Sequence, residues 1–132
     1  MKNIYITLVC LLPTQLIGQA IFDGDFLNKP SNDKLAEIGF VQIVRFKSTL
    51  PDSIVFGVIE KRKVEFLKVP GLVQKYYLRD PKTMEFCGVY LWASEQDFLE
   101  FKKTDLAKSS AQAYQIDGQA RVELYHMIYP LR

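Results

Sequence analysis

Residues 72–98 read LVQKYYLRDPKTMEFCGVYLWASEQDF, and this stretch decides the fold. Leu72 to Leu78 and Phe86 to Trp92 are dense in β-branched and aromatic side chains, as strands are. Between them Arg79-Asp80-Pro81-Lys82-Thr83 carries turn chemistry, so the two runs pair as a hairpin. Ser94 follows at once, with Asp97 three residues on. That is a variant of the capping box, and it starts a helix whose apolar side holds Phe98, Phe101 and Leu106. Lys103-Thr104-Asp105 kinks or restarts that helix.

Working outward, Ile38 to Lys47 places Phe40, Val41, Ile43, Val44 and Phe46 on both faces of a first strand. Ser48-Thr49-Leu50-Pro51-Asp52 supplies caps, a first-turn proline and an early acid for a helix that runs from Pro51 towards Pro70-Gly71. Val55, Val58, Ile59, Phe66 and Leu67 form its stripe, and Glu60, Lys61, Arg62, Lys63 and Glu65 populate its solvated side. Asp117-Gly118 reads as a turn. Ala120 to Tyr129 is then the last strand, with Val122, Leu124, His126 and Ile128 on one face. The order strand, helix, strand, strand, helix, strand is the α+β, ferredoxin-like β-α-β-β-α-β sandwich, with the helices on one face of an antiparallel sheet. The apolar residues on the other face call for a cover, and a second copy of the chain provides one, which predicts a homodimer.

The 132 residues hold one domain, placed at residues 36–132. Residues 1–20 fit a secretory signal: Lys2, an apolar run from Ile4 to Leu12, and Gly18-Gln19-Ala20 for cleavage. Residues 21–35 carry Gly24, Pro30, Ser31, Asn32 and Asp33 and read as a leader or linker. The expected product is secreted or periplasmic, begins at Ile21 and has no membrane attachment after processing. It keeps Cys87 alone, a small buried group in a strand. Seventeen Lys and Arg against fifteen acids give no phosphate-binding surface, so nucleic acid is not an expected partner. No Cys, His or carboxylate set has the spacing of a metal site, and no glycine-rich phosphate loop follows a strand.

Pro70-Gly71-Leu72-Val73-Gln74-Lys75, followed by Cys87-Gly88-Val89-Tyr90-Leu91-Trp92, resembles the YdhR-type monooxygenases of the dimeric α/β-barrel superfamily. Trp92-Ala93-Ser94-Glu95 with Phe98, Phe101 and Thr104-Asp105 is similar to the antibiotic-biosynthesis monooxygenase pattern, and the element order matches from Ala36 to Tyr129. The resemblance implies an oxygenase that needs no metal, flavin or other cofactor. It would hold a small apolar or aromatic substrate in a dry pocket between sheet and helices and let that substrate react with dioxygen. Such a pocket asks for aromatic walls and one base or hydrogen-bond donor.

Tyr76, Trp92 and Phe101 suit the walls, and His126 and Tyr90 suit the catalytic groups; each also serves as ordinary core packing. In the strand alternation Gly88, Tyr90, Trp92, the missing side chain at Gly88 leaves space beside two large rings, so a cavity there is expected. Haem-degrading members of the superfamily use an Asn on the first strand with a Trp and a His on the second helix. Here Phe101 and Ala111 stand at the helix positions and no Asn follows Asn32, which argues against haem oxygenation. The rival reading is a non-catalytic exported protein that binds a small apolar ligand.

Overall fold

The strands are β1 (Phe40–Ser48), β2 (Leu72–Arg79), β3 (Phe86–Trp92) and β4 (Ile116–His126). They form one antiparallel sheet in the order β2-β3-β1-β4. The helices are α1 (Asp52–Phe66), α2 (Glu95–Lys102), and the single turns α3 (Asp105–Lys108) and α4 (Ser110–Ala113). The computed structural model describes residues 37–131, so the signal and leader segments predicted for residues 1–35 lie outside the described residues. Because β1 and β2 each pair antiparallel with β3, they run parallel to one another with β3 between them, as the predicted ferredoxin-like topology requires.

Local chemistry explains the boundaries. Asp80 closes the β2–β3 hairpin: its Oδ1 accepts from the backbone N–H groups of Lys82 and Thr83 at 2.8 and 3.1 Å. The Ser94 hydroxyl accepts from the Asp97 N–H at 3.1 Å and caps α2. The predicted restart occurs at Thr104, whose hydroxyl accepts from the Ala107 N–H at 3.2 Å and caps α3.

Three details differ from the sequence expectations. Arg62 is buried although the charged run around it is exposed, because the helical period carries Val55, Ile59, Arg62 and Phe66 along one face. Leu67, placed on that stripe, is 83% exposed because it lies beyond the last turn. Asp117-Gly118 does not reverse the chain. Gly118, at φ +73°, lies inside β4, opposite the register shift between Arg45 and Lys47, and makes a bulge. The reversal falls earlier, at Gln115 (φ +42°), whose carbonyl accepts from Thr49 N–H at 3.0 Å. The last strand accordingly starts at Ile116 and ends at His126, leaving Ile128 and Tyr129 exposed beyond it.

The core lies between the sheet and the helices in two clusters. Phe40, Phe66, Trp92, Phe98 and Phe101 fill one end; Val55, Phe86 and Tyr114 fill the other. Each such side chain contributes about 1.5–3 kcal/mol by leaving water. On the opposite face of the sheet, β1 presents Val41, Ile43 and Arg45, β3 presents Cys87, Val89 and Leu91, and β4 presents Glu123 and Tyr125. Tyr76 and Leu78 of β2 belong to the same face, and Tyr76, Leu78 and Tyr125 are about half exposed there.

Candidate functional site

Lys75, Tyr77 and Arg79 alternate along the helix-facing side of β2, an edge strand. Arg79 finds an acid, lying 2.9 Å from both Asp52 carboxylate oxygens. Lys75 finds none among the described residues. Its Nζ instead sits 3.3 Å from the centroid of the Phe66 ring, 4.3 Å from Tyr90 and 4.4 Å from Tyr77. Burial, and secondarily the charge of Arg62, pull this amine down to about 6. The three ring faces favour the ammonium and oppose part of that pull.

Arg62 reaches the same region from α1. Its Nη2 donates to the Leu106 carbonyl at 2.6 Å and to Ser110 Oγ at 3.0 Å, and its Nη1 donates to Ser109 Oγ at 3.2 Å. No carboxylate among the described residues pairs with it. Its buried Nε and the buried hydroxyls of Tyr77 and Tyr114 have no hydrogen-bond partner among the described residues. Burial raises the pKa of the Tyr77, Tyr90 and Tyr114 phenols, so all three stay protonated donors at neutral pH.

Lys75, Tyr77, Gly88, Tyr90, Ser110 and Tyr114, together with apolar side chains such as Val44, Phe46 and Ile59, line a cavity of about 50 Å³. A wider groove of about 450 Å³ runs outside it along β2 and the end of α1, past Leu72, Gln74 and Lys63. Lys75 and Tyr77 line both spaces. Among the described residues the site therefore offers donors and an amine without an acid partner in a largely apolar wall, and no fixed acceptor charge.

Among the residues singled out from sequence, Tyr90 lies in the cavity wall. Trp92 and Phe101 stand behind it in filled core; the Trp92 ring stacks on Tyr90 at 6.1 Å, and its Nε1 donates to Gln42 Oε1 at 3.3 Å. The Tyr90 ring takes part of the space beside Gly88, a Cβ on Gly88 standing 3.0 Å from Tyr90 Cε2, while Gly88 and Tyr90 both line the cavity and Trp92 does not. Tyr76 is on the opposite face of the sheet, and His126 lies outside the cavity, at the end of edge strand β4. The His126 side chain is 74% exposed, with Nε2 3.5 Å from Glu95 Oε2 and its ring edge-on to Phe40 at 5.2 Å. Lys75, Arg62, Tyr77 and Tyr114 were not singled out as site residues from the sequence, although the period-2 parity of β2 and the helical period of α1 mark Lys75, Tyr77 and Arg62.

No family model and no curated protein sequence matches the chain. Solved structures do. SnoaB, a cofactor-independent oxygenase from Streptomyces nogalater, is similar with a TM-score of 0.60 at 16% identity, over 71% of this chain and 97% of that one. A monooxygenase from the gene ActVA-Orf6 of Streptomyces coelicolor, solved with Nanaomycin D, gives 0.59 at 17% identity over 73% and 93%. A dimeric ferredoxin-like protein of unknown function from Thermobifida fusca gives 0.57 at 14% identity over 68% and 92%. The fold is ferredoxin-like. In this ferredoxin-like frame the cavity and groove lie on the helix side of the sheet, between α1, α4 and the β2 edge, and the other sheet face is left uncovered among the described residues.

Proposed function

We propose that the chain is a cofactor-independent monooxygenase of the YdhR type, acting after export on a small aromatic molecule with an acidic C–H or O–H group. The observation that carries this reading is the Lys75 amine, half-buried and without an acid partner among the described residues, at the junction of cavity and groove. A neutral amine of that kind is a base suited to neutral pH. The substrate lies in the groove and gives its proton to Lys75 Nζ, while the Tyr77 hydroxyl donates to the anion that forms. The resulting electron-rich carbon reduces dioxygen. For an activated methylene the balance is one methylene and one dioxygen in, one ketone and one water out. All four electrons come from the substrate: the two C–H bonds break, one oxygen atom stays on carbon, and the other leaves as water with both hydrogens. The apolar wall keeps competing water away from the anion. Likeness in fold to a cofactor-independent oxygenase supports the reaction class. The half-exposed apolar side chains on the free sheet face support a homodimer built on that face, with the reaction site on the outer, helix side of each subunit.

Oxygen uptake with a panel of anthrone-like phenols and hydroxyquinones tests the proposal. The wild-type chain is expected to show substrate-dependent uptake whose kcat/KM rises with pH through about 6, as the Lys75 amine loses its proton. Lys75→Met should lower it by about 100-fold or more, the usual worth of a general base. His126→Ala should leave it within about twofold, because that side chain is exposed and outside the cavity. Equal uptake by wild type and Lys75→Met refutes the assignment of the base. Binding without uptake anywhere in the panel supports the ligand-binding alternative.

A further inference from the structure

We infer that Lys75 is also a nucleophile that captures small carbonyl compounds as imines, an activity separate from oxygen chemistry. Three features of the geometry carry this. Lys75 lines both the inner cavity of about 50 Å³, room for a small aldehyde, and the open groove through which an aldehyde would arrive and water would leave. It makes no ion pair among the described residues, so no partner must be displaced before its lone pair attacks. The unpartnered Tyr77 and Tyr114 hydroxyls line the same cavity and can donate to the carbonyl oxygen. A lysine desolvated in an apolar pocket and set beside a second cation is the arrangement that activates amines for this reaction.

The atoms balance simply. The amine adds to the carbonyl carbon to give a carbinolamine, the amine proton passes to the oxygen, and loss of water leaves an imine between the former carbonyl carbon and Lys75 Nζ. No oxidant or reductant is needed, and hydrolysis reverses the step. The groups facing the amine are Arg62, Lys63 and Phe66 from α1, Tyr77 beside it on β2, Tyr90 from β3, and Tyr114 just ahead of β4. Glu60, the carboxylate one turn back on α1, is held by Lys63 at 2.6 Å. Burial and Arg62 bring the amine to about 6, so at pH 7 roughly nine-tenths of it is free base, against under a thousandth for an ordinary lysine. Nucleophilicity falls as pKa falls, which removes part of that gain and leaves an advantage of at least about tenfold.

The test is reductive trapping of the full chain with butanal and cyanoborohydride under nitrogen, mapped by peptide mass. Here the imine, once protonated, takes a hydride at carbon and becomes a stable secondary amine. At pH 7, butylation of Lys75 is expected to be at least about tenfold faster than that of the exposed Lys61 and Lys82. With cyanoborohydride in enough excess that imine formation sets the rate, labelling of Lys75 should level off above pH 7, while that of Lys61 and Lys82 climbs about tenfold per pH unit up to pH 9. Lys75→Arg should lose only the Lys75 adduct. Even labelling of the lysines, or a Lys75 rate that climbs in step with Lys61, overturns the inference. Because the reaction needs no oxygen, trapping by a chain that consumes none upholds the inference while the oxygenase reading fails. Oxygen uptake without trapping overturns the inference and leaves the base role intact.

Discussion

Replacing Lys75 by Met keeps the length and packing of the stem and removes only the amine, and it should stabilise the fold at neutral pH. The amine prefers to be neutral in the folded chain (about 6) and charged in the unfolded one (10.5). At pH 7 the unfolded state therefore gains protonation free energy over 10.5 − 7 = 3.5 units, about 5 kcal/mol at 1.36 kcal/mol per unit. Lys75→Met is thus expected to gain several kcal/mol, up to about 5, at pH 7. The unfolded state binds one more proton than the folded state between about 6 and 10.5, so wild-type stability rises with pH across that window. The advantage of Met should accordingly shrink by about 2.7 kcal/mol between pH 7 and pH 9. Urea titrations followed by Trp92, the single tryptophan and fully buried, measure both quantities. Taking the difference between the two proteins cancels every other titrating group. A Met variant less stable than wild type at pH 7, or a difference that does not change with pH, would show that Lys75 is an ordinary ammonium and would refute the reasoning behind its proposed chemistry.

Light scattering should report about twice the 15.2 kDa chain mass, less the processed segment, and Val89→Asp at the centre of the free sheet face should give a monomer; a wild-type monomer at micromolar concentration counts against the homodimer. Protein recovered from its native compartment should begin at Ile21 by N-terminal sequencing, and an intact Met1 on a cytoplasmic product would refute export.

Much of the architecture was legible because local and long-range signals agree. The β2–β3 hairpin is marked by two β-rich runs and by the Asp80 turn, and the capping groups Ser94 and Thr104 are single residues whose hydroxyls do what their positions predict. The bulge at Gly118 reads as a turn in the sequence for a physical reason. A glycine at φ +73° serves a turn and a bulge equally well, and only the register against β1 distinguishes them. The position of Trp92 was settled by volume, which sequence parity does not carry. Gly88, Tyr90 and Trp92 share a face, as expected, and the cavity borders Gly88 and Tyr90, but Trp92 is closed in by Phe40, Phe98 and Phe101.

The candidate site was obscured by a habit of charge rather than by missing information. Lys75 and Arg62 carry charges, and charged residues on strands and helices are usually solvated. Periodicity placed both indoors nonetheless. Tyr76 and Leu78 claim one face of β2, which leaves Lys75 and Tyr77 on the other, while Val55, Ile59 and Phe66 draw a line on α1 that passes through position 62. An edge strand makes the conflict tolerable, because Lys75 can cover ring faces with its stem while its end opens on a groove. His126 is the one histidine of the sequence, yet its side chain is exposed at the end of an edge strand, outside the cavity. A buried amine facing three rings and a guanidinium has been altered by its surroundings, and such alteration marks a functional group more strongly than residue type does.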